Sequence, residues 1–196
     1  MNVSNSHQIS VDTFKKLIRD GVHSICTEQG WNEDKDNERG YAFQKWVGQL
    51  IAQREGLSAN VDDGMFLSGD LMIDVALEDA DRKLLYLIQT KFPSIAQSPT
   101  VPEDEVVSFL DRHNVLNDHP DWVRSHANDQ LLEYVGDYAQ KLKDGWGVYF
   151  CFISTGRASQ RILDLVNDKH SVVRRTFTNV SFQLFDHCCP AILPGA

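Results

Sequence analysis

A chain of 196 residues with a hydrophobic content of 42% can bury the core of one globular domain, which we expect to span residues 1–196. The formal net charge of −9 argues against a protein that binds nucleic acid by neutralising many phosphates over a broad surface. No apolar segment is long enough to span a bilayer and the start lacks the features of a secretory signal, so we predict a cytoplasmic protein without a membrane partner.

Two amphipathic helices are predicted in the first third of the chain. Residues 10–29 place apolar side chains at helical spacing, with Ser10 as a candidate N-cap. After a charged loop at residues 32–39, a second helix is predicted at about residues 40–54. Its opposite face carries Lys45, for which we expect contact with water. The apolar stripe of this helix consists of Phe43, Trp46, Val47, Leu50 and Ile51.

Two apolar runs at residues 71–77 and 84–88 follow, and they predict a pair of buried strands. Both runs are apolar at odd and at even positions, which is typical of strands that are covered on both faces. The charged residues between them favour a hairpin with a two-residue turn formed by Asp81 and Arg82.

Three polar side chains interrupt this apolar hairpin. The two-residue turn places Asp74 opposite Gln89, and Met72 opposite Lys91. Cross-strand partners share a face, and so do alternate residues of one strand, so Asp74, Gln89 and Lys91 are predicted to converge. A shift of one residue in the register would place them on two different faces.

The rest of the chain alternates helices and strands. Residues 92–102 are rich in proline and predict a loop. The predicted elements after it are helices at residues 103–112 and 121–143, a strand at 147–154, a helix from 159 to about 166 and a strand at 179–185. This order predicts a three-layer α/β domain with a central mixed β-sheet flanked by helices. A short first strand at residues 64–68 would complete a restriction endonuclease-like core.

The predicted cluster suits metal-assisted attack of water on a phosphodiester. Asp74 would bind a hard divalent cation such as Mg²⁺ or Mn²⁺, with the side-chain oxygen of Gln89 and the carbonyl of Thr90 as further ligands. Lys91 would orient or deprotonate the water and offset charge on the phosphate. Because a neutral amide attracts a cation less than a carboxylate does, a second acid would help. The candidates are Asp70, Glu38, Asp62 and Asp63.

One alternative to the metal site and one possible additional contact remain open. Asp74 and Lys91 could form a buried ion pair that only fixes the strand register. Arg157, next to the predicted helix start at Ser159, could contact a DNA phosphate, although most such helix starts are only caps.

The hairpin resembles the PD-(D/E)xK nuclease superfamily, in the variant of the Mrr-like restriction endonucleases in which glutamine replaces the second acid. The matching residues are Ile73-Asp74 and Ile88-Gln89-Thr90-Lys91. With RGYAFQKWVGQLIA before the hairpin and LIQTKF within it, residues 38–185 also resemble the amino-terminal part of AIPR proteins, the abortive phage infection family. In this comparison residues 1–37 are a helical extension and residues 38–185 are the nuclease-like core.

The resemblance implies a metal-dependent endonuclease of the QxK type that acts in bacterial defence against phage. Asp74 matches the metal-binding acid, Gln89 the second metal-side position and Lys91 the catalytic lysine. Two positions depart from the pattern: Leu71-Met72 replaces a frequent glycine pair, and Gln44 replaces a frequent glutamate on the first core helix.

The expected partner is nucleic acid, with DNA favoured over RNA. Because the chain is acidic, a homo-oligomer or a further carboxy-terminal domain could supply additional binding surface. The alternative function is a catalytically inactive module of the same fold that binds nucleic acid or protein.

Overall fold

The computed structural model describes residues 11–66, 70–92 and 100–186, except for the side chains of Val11 and Asp70. Within these ranges one mixed sheet has the strand order β1-β2-β3-β4, with β1 antiparallel to β2 and the other neighbours parallel. Its strands are Val75–Asp79 (β1), Leu84–Lys91 (β2), Gly147–Ser154 (β3) and Val180–Phe185 (β4). The predicted α/β class with a mixed sheet is therefore confirmed.

Helices cover both faces of the sheet. The described helices are Val11–Gln29 (α1), Asp36–Glu55 (α2), Glu103–Leu110 (α3), Arg112–Asp118 (α4), Pro120–His126 (α5), Asp129–Val135 (α6), Tyr138–Lys143 (α7) and Gln160–Arg174 (α8). Apolar side chains of α1 and α2 form one core with one face of the sheet, and those of α3 to α8 form a second core with the other face. The sheet is thus the middle of three layers. None of the described helices is both long and apolar enough to cross a membrane.

The hairpin has the predicted register but a shorter first strand. Val75 pairs with Ile88 and Asp79 with Leu84, as a two-residue turn requires. Residues 70–72 form a 3-10 turn, in which Leu71 and Met72 have φ of 55° and 58°. Because this left-handed conformation is incompatible with a strand, the prediction of a strand over residues 71–77 and its pairing of residue 72 with residue 91 were wrong.

A short extended segment lies beside β1 where a first strand was predicted. Met65 forms an antiparallel bridge with Val75, and the carbonyl of Gly64 accepts a hydrogen bond of 2.7 Å from the N–H of Ala76. The predicted strand at residues 64–68 is therefore an isolated bridge in its described part, and residues 67 and 68 lie outside the described ranges.

The prediction of one long helix over residues 121–143 was wrong, because this segment forms α5, α6 and α7. Ala127 and Asn128 are extended, and the Asn128 side chain accepts a hydrogen bond of 2.7 Å from the N–H of Leu131, which starts a new helix. The apolar residues are nevertheless buried at the predicted spacing across both breaks: Leu131, Val135, Tyr138 and Leu142.

Helix α2 begins earlier than predicted and buries a charged residue. It starts at Asp36 instead of residue 40, and it ends at Glu55, which is followed by Gly56, whose φ of 61° is typical of a helix C-cap. Lys45 was expected to face water, but it is 3% exposed and forms an ion pair of 2.6 Å with Asp62. Pairing with a carboxylate compensates the cost of burying this ammonium group.

Candidate active site at the carboxyl edge of the sheet

Polar side chains gather at one edge of the sheet. The parallel strands β2 and β3 end there with Lys91 and Ser154, and the antiparallel β1 begins there, directly after Asp74. In open α/β sheets this carboxyl edge is where ligands bind, because the loops diverge and leave a crevice.

The backbone of Asp74 is held from both sides. Its N–H donates to the carbonyl of Ile88 at 2.8 Å, and its carbonyl accepts from the N–H of Phe66 at 2.8 Å. The preceding residues Leu71 and Met72 have the left-handed backbone conformation that glycine adopts most easily. In the pattern that the sequence was said to resemble, a glycine pair is frequent at these two positions.

The carboxylate of Asp74 is buried and accepts three hydrogen bonds on one oxygen. Oδ2 accepts from the Gln89 side-chain amide at 2.7 Å, from the Thr90 N–H at 2.7 Å and from the Thr90 hydroxyl at 2.9 Å. The residue is 5% exposed, and burial raises the pKa of its carboxyl group although Thr90 and Lys91 act in the opposite direction. The three described hydrogen bonds to the carboxylate all end on Oδ2.

Gln89 contacts Asp74 as predicted, but through its nitrogen. Its Nε2 donates to Asp74 and also to the carbonyl of Thr90 at 3.1 Å. A metal would need the amide oxygen instead, which a rotation of the amide group by half a turn would supply. Such a rotation would also release the Thr90 carbonyl.

Lys91 lies on the same face of β2 as Gln89, but its ion-pair partner is not Asp74. Its Nζ lies 2.6 Å from Oε2 of Glu105 in α3, and both side chains are about one-third exposed. The ammonium group is still close enough to lower the pKa of the Asp74 carboxyl group. The simple alternative of an Asp74–Lys91 ion pair is thus replaced by a cluster of three charged groups.

Glu105 belongs to this cluster, but the sequence pattern did not predict it. It stands in an acidic run with Glu103 and Asp104, where no single residue is distinguished by charge. One signal was present, because Glu105 precedes the buried Phe109 by four residues and therefore flanks the inward face of α3.

Glu38 and Asp62, which were also predicted as candidate acids, have other partners. Glu38 accepts hydrogen bonds from Lys35 and from the N–H of Asn32, which together lower the pKa of its carboxyl group and hold the loop before α2. Asp62 pairs with Lys45, while the Asp70 side chain lies outside the described part of the structure.

The predicted phosphate contact, Arg157, is exposed in the connection between β3 and α8. Its carbonyl accepts from the N–H of Val101 at 3.0 Å, which ties this connection to the segment before α3. Two amides near the helix start are already bonded, because Ala158 donates to Asp186 and Ile162 to Ser159. Any anion bound here would therefore depend mainly on the Arg157 side chain.

The donor set fits a cation that keeps several of its own water or phosphate ligands. No group of three or more histidine, cysteine, aspartate or glutamate side chains in the described ranges could hold a metal ion. Asp74, the amide oxygen of Gln89 and the Thr90 carbonyl would supply one charged and two neutral oxygens. Mg²⁺ is commonly bound by one or two carboxylates together with substrate phosphates and water.

No family model, curated protein or solved structure matches this chain. The resemblance to the AIPR proteins and to the PD-(D/E)xK nucleases therefore stays a prediction, which depends on the short motif around Asp74, Gln89 and Lys91.

Proposed function

We propose that this chain is a metal-dependent nuclease domain that hydrolyses phosphodiester bonds, with DNA as the first candidate substrate and RNA as the second. The observation that supports this proposal most is the buried carboxylate of Asp74, which contacts Gln89 and lies near Lys91 at the carboxyl edge of the sheet. A buried carboxyl group with a raised pKa beside charged partners is typical of functional sites.

Each residue of the cluster has a distinct role in the proposed reaction. Asp74 and Gln89, with the Thr90 carbonyl, would hold Mg²⁺ or Mn²⁺, which supplies Lewis-acid activation of water and of the phosphate. Lys91 would orient the attacking water and offset the negative charge that develops on the phosphate. Thr90 keeps the Asp74 carboxylate in place through its N–H and its hydroxyl group.

The biological setting is proposed from the family resemblance alone. It implies a cytoplasmic protein of bacterial defence against phage, with nucleic acid as its partner. The net charge of −9 favours additional binding surface from a second copy or from a further carboxy-terminal domain.

The test of this function is a plasmid-nicking assay with Mg²⁺ or Mn²⁺. We expect Lys91→Ala to lower the nicking rate about 100-fold or more, because it removes a preorganised positive charge from the transition state. Lys143→Ala is the matched control, since Lys143 is exposed at the end of α7, which leads to the opposite edge of the sheet. Equal rates for the wild type and Lys91→Ala would contradict the role of Lys91, and no cleavage of any nucleic acid by the wild type would contradict the nuclease function.

A second candidate function is an inactive module of the same fold that binds nucleic acid or protein. The observation that favours it is the ion pair of Lys91 with Glu105, which occupies the catalytic lysine while the metal-side position is a neutral amide. Binding of nucleic acid without turnover in the same assay would support this candidate over the enzyme.

A further inference from the structure

A second carboxylate lies at the candidate site, although the sequence motif does not include it. Glu105 Oε2 is 2.6 Å from Nζ of Lys91, and the negative charge of Glu105 contributes to the raised pKa of the Asp74 carboxyl group. Gln89, which contacts Asp74, and Lys91, which pairs with Glu105, lie two residues apart on the same face of β2, so both carboxylates lie at the same edge of the sheet.

The position of Glu105 is fixed by the structure around α3. Before the helix, Thr100 forms a parallel bridge with Arg157. Within its first turn, Glu103 forms an ion pair of 2.9 Å with Arg161 of α8. On its inner side, Val106 and Phe109 are fully buried. The Glu105 carboxylate is therefore held against the end of β2 by both flanks of its helix.

The donor set of Asp74, Gln89 and Thr90 contains a single negative charge, and a second carboxylate would strengthen its attraction for a divalent cation. Gln89, which contacts Asp74, is a neutral amide, and so is Gln44 of α2. The Gln44 oxygen Oε1 is buried without a hydrogen-bond partner among the described residues, and a neutral oxygen of this kind does not replace a carboxylate.

We propose that Glu105 supplies the second carboxylate of the divalent-cation site, together with Asp74. In this proposal, which rests on the proposed nuclease function, the ammonium group of Lys91 is paired with the Glu105 carboxylate until the cation binds. Glu105 would then change its partner from Lys91 to the cation, and Lys91 would become available for the attacking water. The ion pair of Lys91 and Glu105 is thus the resting state of the enzyme instead of a sign of lost activity.

The proposal is tested by Mn²⁺ binding to the full chain, measured by calorimetry and by the electron paramagnetic resonance signal of free Mn²⁺. We expect Asp74→Asn and Glu105→Gln each to weaken Mn²⁺ binding about tenfold or more, because each removes a charged ligand. Asp104→Asn is the matched control, since Asp104 is exposed in the same turn of α3 and carries the same charge. We expect this control to stay within about twofold of the wild type.

A double variant separates a cation ligand from a mere partner of Lys91. In the Lys91→Ala background, Glu105→Gln should still weaken Mn²⁺ binding about tenfold if Glu105 is a ligand. If Glu105 acts only by pairing with Lys91, its replacement in this background should have no more effect than Asp104→Asn. The double variant removes both charges of the ion pair, so no unpaired charge is left behind. It can therefore be used for this test even if Glu105→Gln alone does not fold.

The outcomes distinguish the two proposals. Loss of Mn²⁺ binding in Asp74→Asn, with Glu105→Gln equal to its control in both backgrounds, would overturn the role of Glu105 and leave the nuclease proposal intact. If the wild type binds no Mn²⁺, both proposals are wrong.

Discussion

A buried histidine on the helical side of the sheet makes stability depend on pH. His113 is 2% exposed, and its Nδ1 lies 2.7 Å from the hydroxyl group of Tyr138. Burial lowers its pKa from 6.5 to about 4, and the nearby Lys169 acts in the same direction, whereas Asp118 and Asp111 oppose it. The ring is therefore neutral in the folded protein at pH values at which it is already protonated in the unfolded chain.

We predict that this histidine destabilises the fold as the pH falls from about 6.5 to about 4. The unfolded state binds more protons than the folded state in this window, so the free energy of unfolding falls with pH by about 3 kcal/mol from this group. Urea unfolding at several pH values should show a shallower loss for His113→Gln, which can still hydrogen-bond to Tyr138. His126→Gln is the control at an exposed position. The same pH profile for His113→Gln and the wild type would contradict the prediction.

At the level of single residues, the sequence predicted which side chains meet but not all of their contacts. The meeting of Asp74 and Gln89 follows from the register, which the short turn determines. The partner of Lys91 could not be predicted in the same way, because Glu105 lies on a helix whose packing against the sheet depends on the tertiary structure. The local pattern of the chain contains no information on how close α3 lies to the end of β2.

At the level of elements, the segment that contains Gly64 and Phe66 positions the start of β1 at the carboxyl edge of the sheet. Phe66 and Gly64 hydrogen-bond to Asp74 and Ala76, so this segment holds the start of β1 on the side opposite to β2. Gly64 allows this close approach, because a Cβ atom at its position would lie 1.8 Å from the carbonyl oxygen of Ala76. A backbone oxygen within a strand cannot move aside without displacing the strand.

We predict that Gly64→Ala lowers the free energy of unfolding by about 1–3 kcal/mol, because the added methyl group displaces β1 or its neighbouring segment. Gly40→Ala is the matched control in α2, since no atom lies within 4 Å of a Cβ at that position. There we expect a gain of about 1 kcal/mol from the higher helix propensity of alanine. Chemical denaturation measures both changes. A Gly64→Ala protein as stable as the wild type would show that the segment is not packed as described.

The elements also show where local patterns fail. The strand β3 was predicted with its observed bounds, because an apolar run rich in aromatic and β-branched residues has few alternatives. The prediction of one helix over residues 121–143 was wrong. The buried apolar residues keep their helical spacing across both breaks, so the spacing gives no sign of the breaks. Helix α8 extends to Arg174, beyond the predicted end at about residue 166. The prediction was too short because the later turns expose polar residues and leave only a weak apolar pattern.

At the level of the whole molecule, the three-layer fold was predictable from the order of elements, whereas its relation to the restriction endonucleases stays a prediction.

The distribution of charge limits how the proposed nuclease could hold its substrate. Among the basic side chains described at the carboxyl edge, Lys91 and Arg161 are paired with Glu105 and Glu103. Arg157 is exposed between them in sequence and is the strongest candidate for a phosphate contact.

We therefore predict weak and only mildly salt-dependent binding of duplex DNA by this chain. With about one to three phosphate contacts, log Kobs should fall with log salt concentration with a slope of about −1 to −3, because each contact releases about 0.9 counterions. Fluorescence anisotropy between about 50 and 200 mM salt, without divalent cations, measures this slope. Arg157→Ala should make the slope shallower by about 1, whereas Arg175→Ala, at an exposed position after the far end of α8, should not change it. A slope of about −5 or steeper would require a broad basic surface that the charge of −9 does not suggest, and an unchanged slope in Arg157→Ala would exclude this residue as a phosphate contact.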